Sequence, residues 1–175
     1  MTTHSLQNTK TGSNIDNWRE RTELAASFRW IERMNMQEAV GNHLSLAVNA
    51  DGTQFLMNPN LVHFRLIKAS DLLLIDAKNP ENLNRPDAPD RAAWGLHGAI
   101  HRRCPHHRCL MHVHSIYATA LACLEDSSLP PLDQNAAMFF NRTVIDENYG
   151  GLAFDDEAER CAAAMGDPTK KVMIM

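Results

Sequence analysis

The 175-residue sequence contains no run of apolar residues near the roughly 20 that span a bilayer, and its N-terminus lacks the apolar stretch of a secretory signal. The expectation is a cytoplasmic protein with no membrane partner. Positive charge is not in excess: seventeen Lys+Arg face twenty-one Asp+Glu for a formal net charge of −4, which argues against nucleic acid as a partner bound through a broad basic face. Cysteine is sparse and irregular. Cys104, Cys109, Cys123 and Cys161 are not the dense set that staples a small secreted domain, so reduced thiols are expected. No G-x-S-x-G elbow, P-loop or dinucleotide fingerprint occurs, so phosphate and hydride chemistry lose their usual signatures.

What is present is ordinary for one globular domain, 44% hydrophobic and 22% charged. Residues 1–15 are polar and read as a disordered or vector-derived tail, and residues 16–175 as a single domain. From Asp16 to Met36, Trp18, Leu24, Ala25, Phe28, Ile31 and Met34 recur at helical spacing, with Asp16 as the cap. Alternation at Leu44, Leu46 and Val48, a turn at Asp51-Gly52 and a return over Gln54–Met57 predict a β-hairpin. Asp71–Asp76 predicts a buried strand, and the Pro/Asn/Asp-rich residues 77–90 a loop. A helix follows over Arg91–Arg103, stopped by Cys104-Pro105, and then a strand over Cys109–His114. The Ala-rich Ser115–Leu124 predicts a buried helix, Asp155–Met165 another, and Lys171–Met175 a final strand. Alternating helices and strands indicate a layered α/β fold. The chain stops inside the apolar run KVMIM, which reads as the truncation of a longer protein.

Histidine is the unusual residue. Six of the nine, His97, His101, His106, His107, His112 and His114, fall between positions 97 and 114. His112 and His114 are two apart on a strand, so both imidazoles leave the same face, while Met111 and Val113 leave the other. A same-face pair chelates a divalent cation, and a catalytic site adds a third protein ligand and leaves a position open. His97 and His101, four apart on a helix, form a second pair, with Trp94 and Ile100 assigned to burial and His101 to the more exposed side. His106 and His107 follow Pro105 in a turn, where exposed, uncommitted histidines are unremarkable. A structural zinc knuckle on Cys104 and Cys109 is disfavoured by their spacing of five. The bland alternative for His112 and His114 is a pair of hydrogen-bonded strand residues.

Five segments occur in order at compatible spacing: Gly41-Asn42-His43-Leu44-Ser45, Phe55-Leu56-Met57-Asn58-Pro59, Ala69-Ser70 through Asp76, Trp94-x-x-His97, and His112-Val113-His114-Ser115-Ile116-Tyr117-Ala118-Thr119-Ala120. Together, over residue 18 to the end, they resemble the class II aldolase/adducin family. The resemblance implies an α/β fold, a three-layer α/β/α domain around a mostly antiparallel sheet. It also implies a homo-oligomer, a tetramer with active sites between subunits, acting on a small-molecule substrate. In the fuculose-phosphate aldolases of this family two histidines of an HxH strand and a third after a later apolar strand hold Zn2+. His112 and His114 match the first two as metal ligands, with Mn2+ or Fe2+ as alternatives to Zn2+. KVMIM resembles the strand leading to the third, which is expected beyond Met175.

The sequence departs from the aldolases where their acid/base glutamate stands, four residues before His97, because that position is Ala93. His97 and Tyr149 are the replacement catalytic candidates, with Asp90 also near, and His97 has a supporting or core role as its alternative. Asn42, Asn58 and Asn60 occupy substrate-binding positions, although the family's hydroxyl and glycine phosphate cradle is not matched. A family tyrosine position aligns with Gln134. The expected function is a metal-dependent class II aldolase-type lyase in which the metal, as a Lewis acid, stabilises an enediolate. The alternatives are an iron-dependent oxidative decarboxylase on the same fold and a non-catalytic, adducin-like binding domain.

Overall fold

Leu24, Phe28 and Ile31 lie on one stripe of the first helix, α1 (Trp18–Arg33), and all three are buried, as amphipathic spacing requires. The structure is a computed structural model that describes residues 16–148 and 155–175. The expected cap is different. Asn17, in a left-handed conformation (φ 60°, ψ 37°), precedes α1, and no side chain caps the helix. The Arg21 side chain ties the helix start down instead. Its Nε donates to the Asp16 carbonyl at 2.8 Å, and its other end reaches the Leu72 carbonyl.

β1 (His43–Ala47) and β2 (Gln54–Met57) form the predicted hairpin. β3 (Leu73–Asp76) adds to β2, and β4 (Cys109–His112) adds to the other edge of β1, so the antiparallel sheet has the order β3-β2-β1-β4. β3 starts later than predicted, because Ala69–Asp71 closes a 3-10 turn in which the Lys68 amide donates to Asp71 Oδ2 at 2.9 Å. β4 stops at His112, leaving His114 just past the strand. The registers Ser45↔Met57 and His43↔His112 set the faces. Leu44, Leu46 and Leu56 turn toward α1, with Phe64, Ile67 and Leu72 completing that core. Ala47, Phe55 and Met57 turn the other way, toward Ala93.

That second face is covered by α2 (Arg91–Arg103), which Asp90 caps by accepting from the Ala93 amide at 2.9 Å. α5 (Asp155–Ala164) packs over α2, burying Leu96, Ala99, Ile100 and Cys104 against Ala158, Cys161, Ala162 and Met165. α2 is therefore enclosed on two sides, and this corrects the expected exposure of its histidines: His101 is 0% and His97 2% exposed. Both rings turn to the sheet rather than to α5, His101 against Ser45 and Phe55 and His97 against Ser45 and His43. His107 is also buried, its Nε2 donating to the Met165 carbonyl at 3.0 Å, whereas an exposed, uncommitted ring was expected.

The hairpin turn and α2 meet closely. Gly52 has φ +71°, and a Cβ there would lie 2.1 Å from the His101 carbonyl oxygen, so only glycine fits. α3 (Ile116–Ala122) was expected to be buried and is not: Tyr117 is 89% and Ile116 66% exposed. Its apolar composition marks a surface that the described residues leave uncovered. A short α4 (Gln134–Ala137) follows, and then β5 (Thr143–Ile145), which pairs in parallel with β6 (Val172–Ile174) as a separate two-stranded sheet. Helices flank a mostly antiparallel sheet, which is the expected three-layer α/β arrangement. The four cysteines are free; Cys104 Sγ donates to the Ala162 carbonyl in the core and takes no part in a zinc knuckle.

Candidate metal centre and its polar network

Alternation along β1 and β4 brings polar side chains together on the α2 face of the sheet. His43 and Ser45 leave that face of β1, and His112 leaves it from β4 directly opposite His43. The two rings are stacked, with centroids 4.5 Å apart and planes 11° from parallel. His114 Nε2 lies 2.9 Å from His112 Nε2, so the pair predicted from the HxH spacing converges on one point.

Beyond it, His114 Nδ1 donates to Glu38 Oε2 at 2.7 Å. That bond fixes the proton of a neutral His114 on Nδ1 and leaves Nε2 as a bare lone pair, the arrangement in which a carboxylate orients a metal-ligating imidazole. Burial, and then the neighbouring His114, pushes the pKa of His112 down to about 4, so its ring is neutral near pH 7 and able to ligate. A cation about 2.0–2.1 Å from each of two nitrogens 2.9 Å apart would see them at about 90°. The pair therefore fits a divalent metal as two of its ligands. Among the described residues no set of three His, Cys, Asp or Glu side chains is placed to hold one.

The other sequence candidates are placed as follows. His97 is buried with both nitrogens engaged, at 2.8 Å from His43 Nδ1 and 2.6 Å from Ser45 Oγ. It supports the site from inside the core. Asn42 is 2% exposed; its Oδ1 accepts from the Glu38 amide, while its Nδ2 has no partner. Asn58 braces the strand ends, accepting from the Leu44 amide at 3.1 Å, and Asn60 is exposed. Asp90 is committed to the α2 cap. Tyr149 lies outside the described residues. A cleft of about 430 Å3 borders His112, with His97, Met111, Lys171 and Met173 also in its lining.

Sequence reasoning gave no site role to Glu38, His43 or Ser45. His43 and Ser45 carried a signal, two polar residues two apart within the apolar β1. Glu38 carried none, since it meets His114 from a turn 76 positions away.

The family described as the class II aldolase and adducin N-terminal domain matches residues 22–175, and the chain belongs to it. An aldolase II superfamily protein from Pseudomonas syringae superposes with a TM-score of 0.79 at 28% identity, covering 93% of this chain and 64% of that one. The L-fuculose 1-phosphate aldolase of Glaciozyma antarctica shares the fold with a TM-score of 0.72 at 22% identity over 96% of this chain and 64% of its own. In sequence, the 4-hydroxy-3-prenylphenylpyruvate oxygenase/4-hydroxy-3-prenylbenzoate synthase of Streptomyces roseochromogenus is 27% identical over 140 residues, 79% of this chain and 50% of the relative. The chain spans about half the length of the curated relatives it matches. No helix among the described residues is long and apolar enough to cross a membrane.

Proposed function

We propose that the chain carries the two-histidine part of a divalent-metal site in a class II aldolase-type lyase acting on a small carbonyl or hydroxy compound. The observation that carries this reading is the convergence of His112 Nε2 and His114 Nε2 at 2.9 Å with Glu38 on the far nitrogen of His114. His112 and His114 hold the metal, Zn2+ in the first instance, with a third ligand from outside the described residues. When bound, the metal supplies Lewis-acid polarisation of a substrate oxygen.

The chain's own residues do the rest. Glu38 orients His114 and keeps its Nε2 unprotonated. The unpartnered Nδ2 of Asn42 is a donor for a substrate oxygen, since a buried amide hydrogen without an acceptor is costly until one arrives. The family's glutamate position is Ala93, 1% exposed inside the apolar cluster around Phe55 and Met57, so no carboxylate moves protons from there. Tyr149 is kept as a proton-transfer candidate, and His97 as a support for His43. A homo-oligomer, a tetramer by family resemblance, belongs to the same proposal and is supported by the exposed apolar side chains of Ile116, Tyr117, Leu132 and Phe140.

An iron-dependent oxidative decarboxylase is the second reading, supported by the activity named for the Streptomyces relative and by Ala93. Metal analysis and titration of the chain with Zn2+, Mn2+ and Fe2+ test both, alongside retro-aldol and oxygen-consumption assays. Binding lost in His112→Ala and His114→Ala supports a metalloenzyme, and oxygen consumption with Fe2+ alone selects the second reading. No binding of any of the three cations, by the chain alone or extended to supply the third ligand, overturns both and leaves the adducin-like binding domain.

A further inference from the structure

A line of hydrogen bonds runs from the core to the candidate site, and its polarity is dictated by its inner end. His101 Nδ1 lies 3.1 Å from the His107 carbonyl oxygen. A carbonyl only accepts, so the ring must carry its proton on Nδ1. Burial drives the pKa of His101 down to about 4, so the ring is neutral and its Nε2 is a bare acceptor. Ser45 Oγ, 2.7 Å away and fully buried, therefore donates its only proton to His101 Nε2. The same oxygen, 2.6 Å from His97 Nδ1, must then accept, which places the His97 proton on Nδ1 and leaves Nε2 bare. His97 Nε2 is 2.8 Å from His43 Nδ1, so His43 donates from Nδ1. Each step follows from the one before, and the last leaves His43 Nε2 without a proton.

That nitrogen has no protein hydrogen-bond partner among the described residues. It belongs to a partly exposed ring stacked on His112 at the first residue of β1. We propose that His43 is a hydrogen-bond acceptor at the active site, facing a hydroxyl group of the substrate, and that His101, Ser45 and His97 form a relay that keeps its Nε2 bare. Ser45 is the positioning residue of this relay, because its single proton decides the direction of every bond outward from it. The proposal rests on the functional reading above for its substrate, whereas the tautomer is a property of the chain alone. It also accounts for three fully or almost fully buried polar side chains, Ser45, His97 and His101, that a core of this size otherwise has no need to enclose.

The test is the imidazole nitrogen spectrum of the 15N-labelled chain near pH 7.5, without metal and then with Zn2+. The expected wild-type pattern is a protonated Nδ1 and an unprotonated Nε2 in each of His43, His97 and His101. In Ser45→Ala the relay is cut, and His43 should change from one tautomer to an exchanging mixture. In His101→Phe the Ser45 proton is free to turn to His97 Nδ1, which would move protons onto Nε2 of both His97 and His43. This second variant keeps a ring of similar size beside Phe55, so the test survives if Ser45→Ala fails to fold. A proton on His43 Nε2 in the wild-type chain overturns the proposal, as does an unchanged His43 tautomer in a folded variant. With Zn2+, the Nε2 resonances of His112 and His114 should shift while that of His43 keeps its metal-free position. A metal-shifted His43 Nε2 overturns the acceptor role. Absence of any zinc shift at His112 and His114 fails the metal reading without touching the metal-free tautomer, so the two failures are distinguishable.

Discussion

His112 Nε2 and His114 Nε2 face each other at 2.9 Å, and because Glu38 holds the His114 proton on Nδ1, the short contact without metal requires His112 to donate from Nε2. A cation bound by both rings must displace that proton. Zinc affinity should therefore rise with pH where His112 takes up a second proton in the metal-free chain. At neutral pH the His112 proton moves to Nδ1 as the metal binds, so titration calorimetry in buffers of different ionisation enthalpy should detect proton release from this ring only toward about pH 4, where the metal-free His112 takes up a second proton. His112→Ala and His114→Ala should each abolish measurable binding. Glu38→Gln should weaken it by about tenfold, the low end of the effect for a residue that orients a ligand, since this carboxylate is largely exposed.

Acid should destabilise the protein well before its carboxylates are protonated. Burial holds His43 down to about 3, His101 and His112 down to about 4, and His97 well below its ordinary value. The unfolded chain takes up protons on these rings near pH 6.5 while the folded one does not, so it binds more protons between about pH 6.5 and about pH 4. The stability present above pH 6.5 is lost as pH falls through that window, by about 1.4 kcal/mol per pH unit for each full proton of difference. Urea unfolding at pH 7.5, 6.5, 5.5 and 4.5 should show a slope exceeding one proton. A flat profile would mean that the rings titrate normally.

Restoring the family's glutamate should not restore its chemistry. Ala93 is 1% exposed and packs among Ala47, Phe55, Met57 and Ile75 on the sheet side of α2. Ala93→Glu would force a long carboxylate into that space. It should cost at least about 3 kcal/mol, through overpacking and through burial of an ionisable group. A thermal melt that stays within a degree or two of wild type would show that the side chain escapes into the site instead.

Gly52→Ala should disturb the site from a distance. The added Cβ would collide with the His101 carbonyl, which is backbone and cannot swing away, at a position whose φ of +71° already disfavours alanine. The expected loss is about 2 kcal/mol or more, combining the left-handed strain with the steric displacement. His101 resonances should shift with it. Unchanged stability would mean that the hairpin turn is free to move off α2.

Much of this protein was legible from spacing along the chain. The hairpin, the stripe of α1, the stop of α2 at Cys104-Pro105 and the shared face of His112 and His114 depend on periodicities of two and 3.6 residues and on proline sterics, which act locally. The order of the five matching segments was likewise a property of the chain, and it led to the correct family. Burial of His101 was not legible because its ring meets Ser45, 56 residues away on β1, and burial of His107 was not because its ring meets the Met165 carbonyl, 58 residues later. Exposure of α3 failed for the converse reason: apolar residues predict burial only where something packs over them. The partners of the site, Glu38 on His114 and Ser45 between His97 and His101, join positions 76, 52 and 56 residues apart. Such pairings come from the register of β1 against β4 and the placement of α2 beneath them. Local rules assign each residue a face, and long-range packing chooses what that face meets.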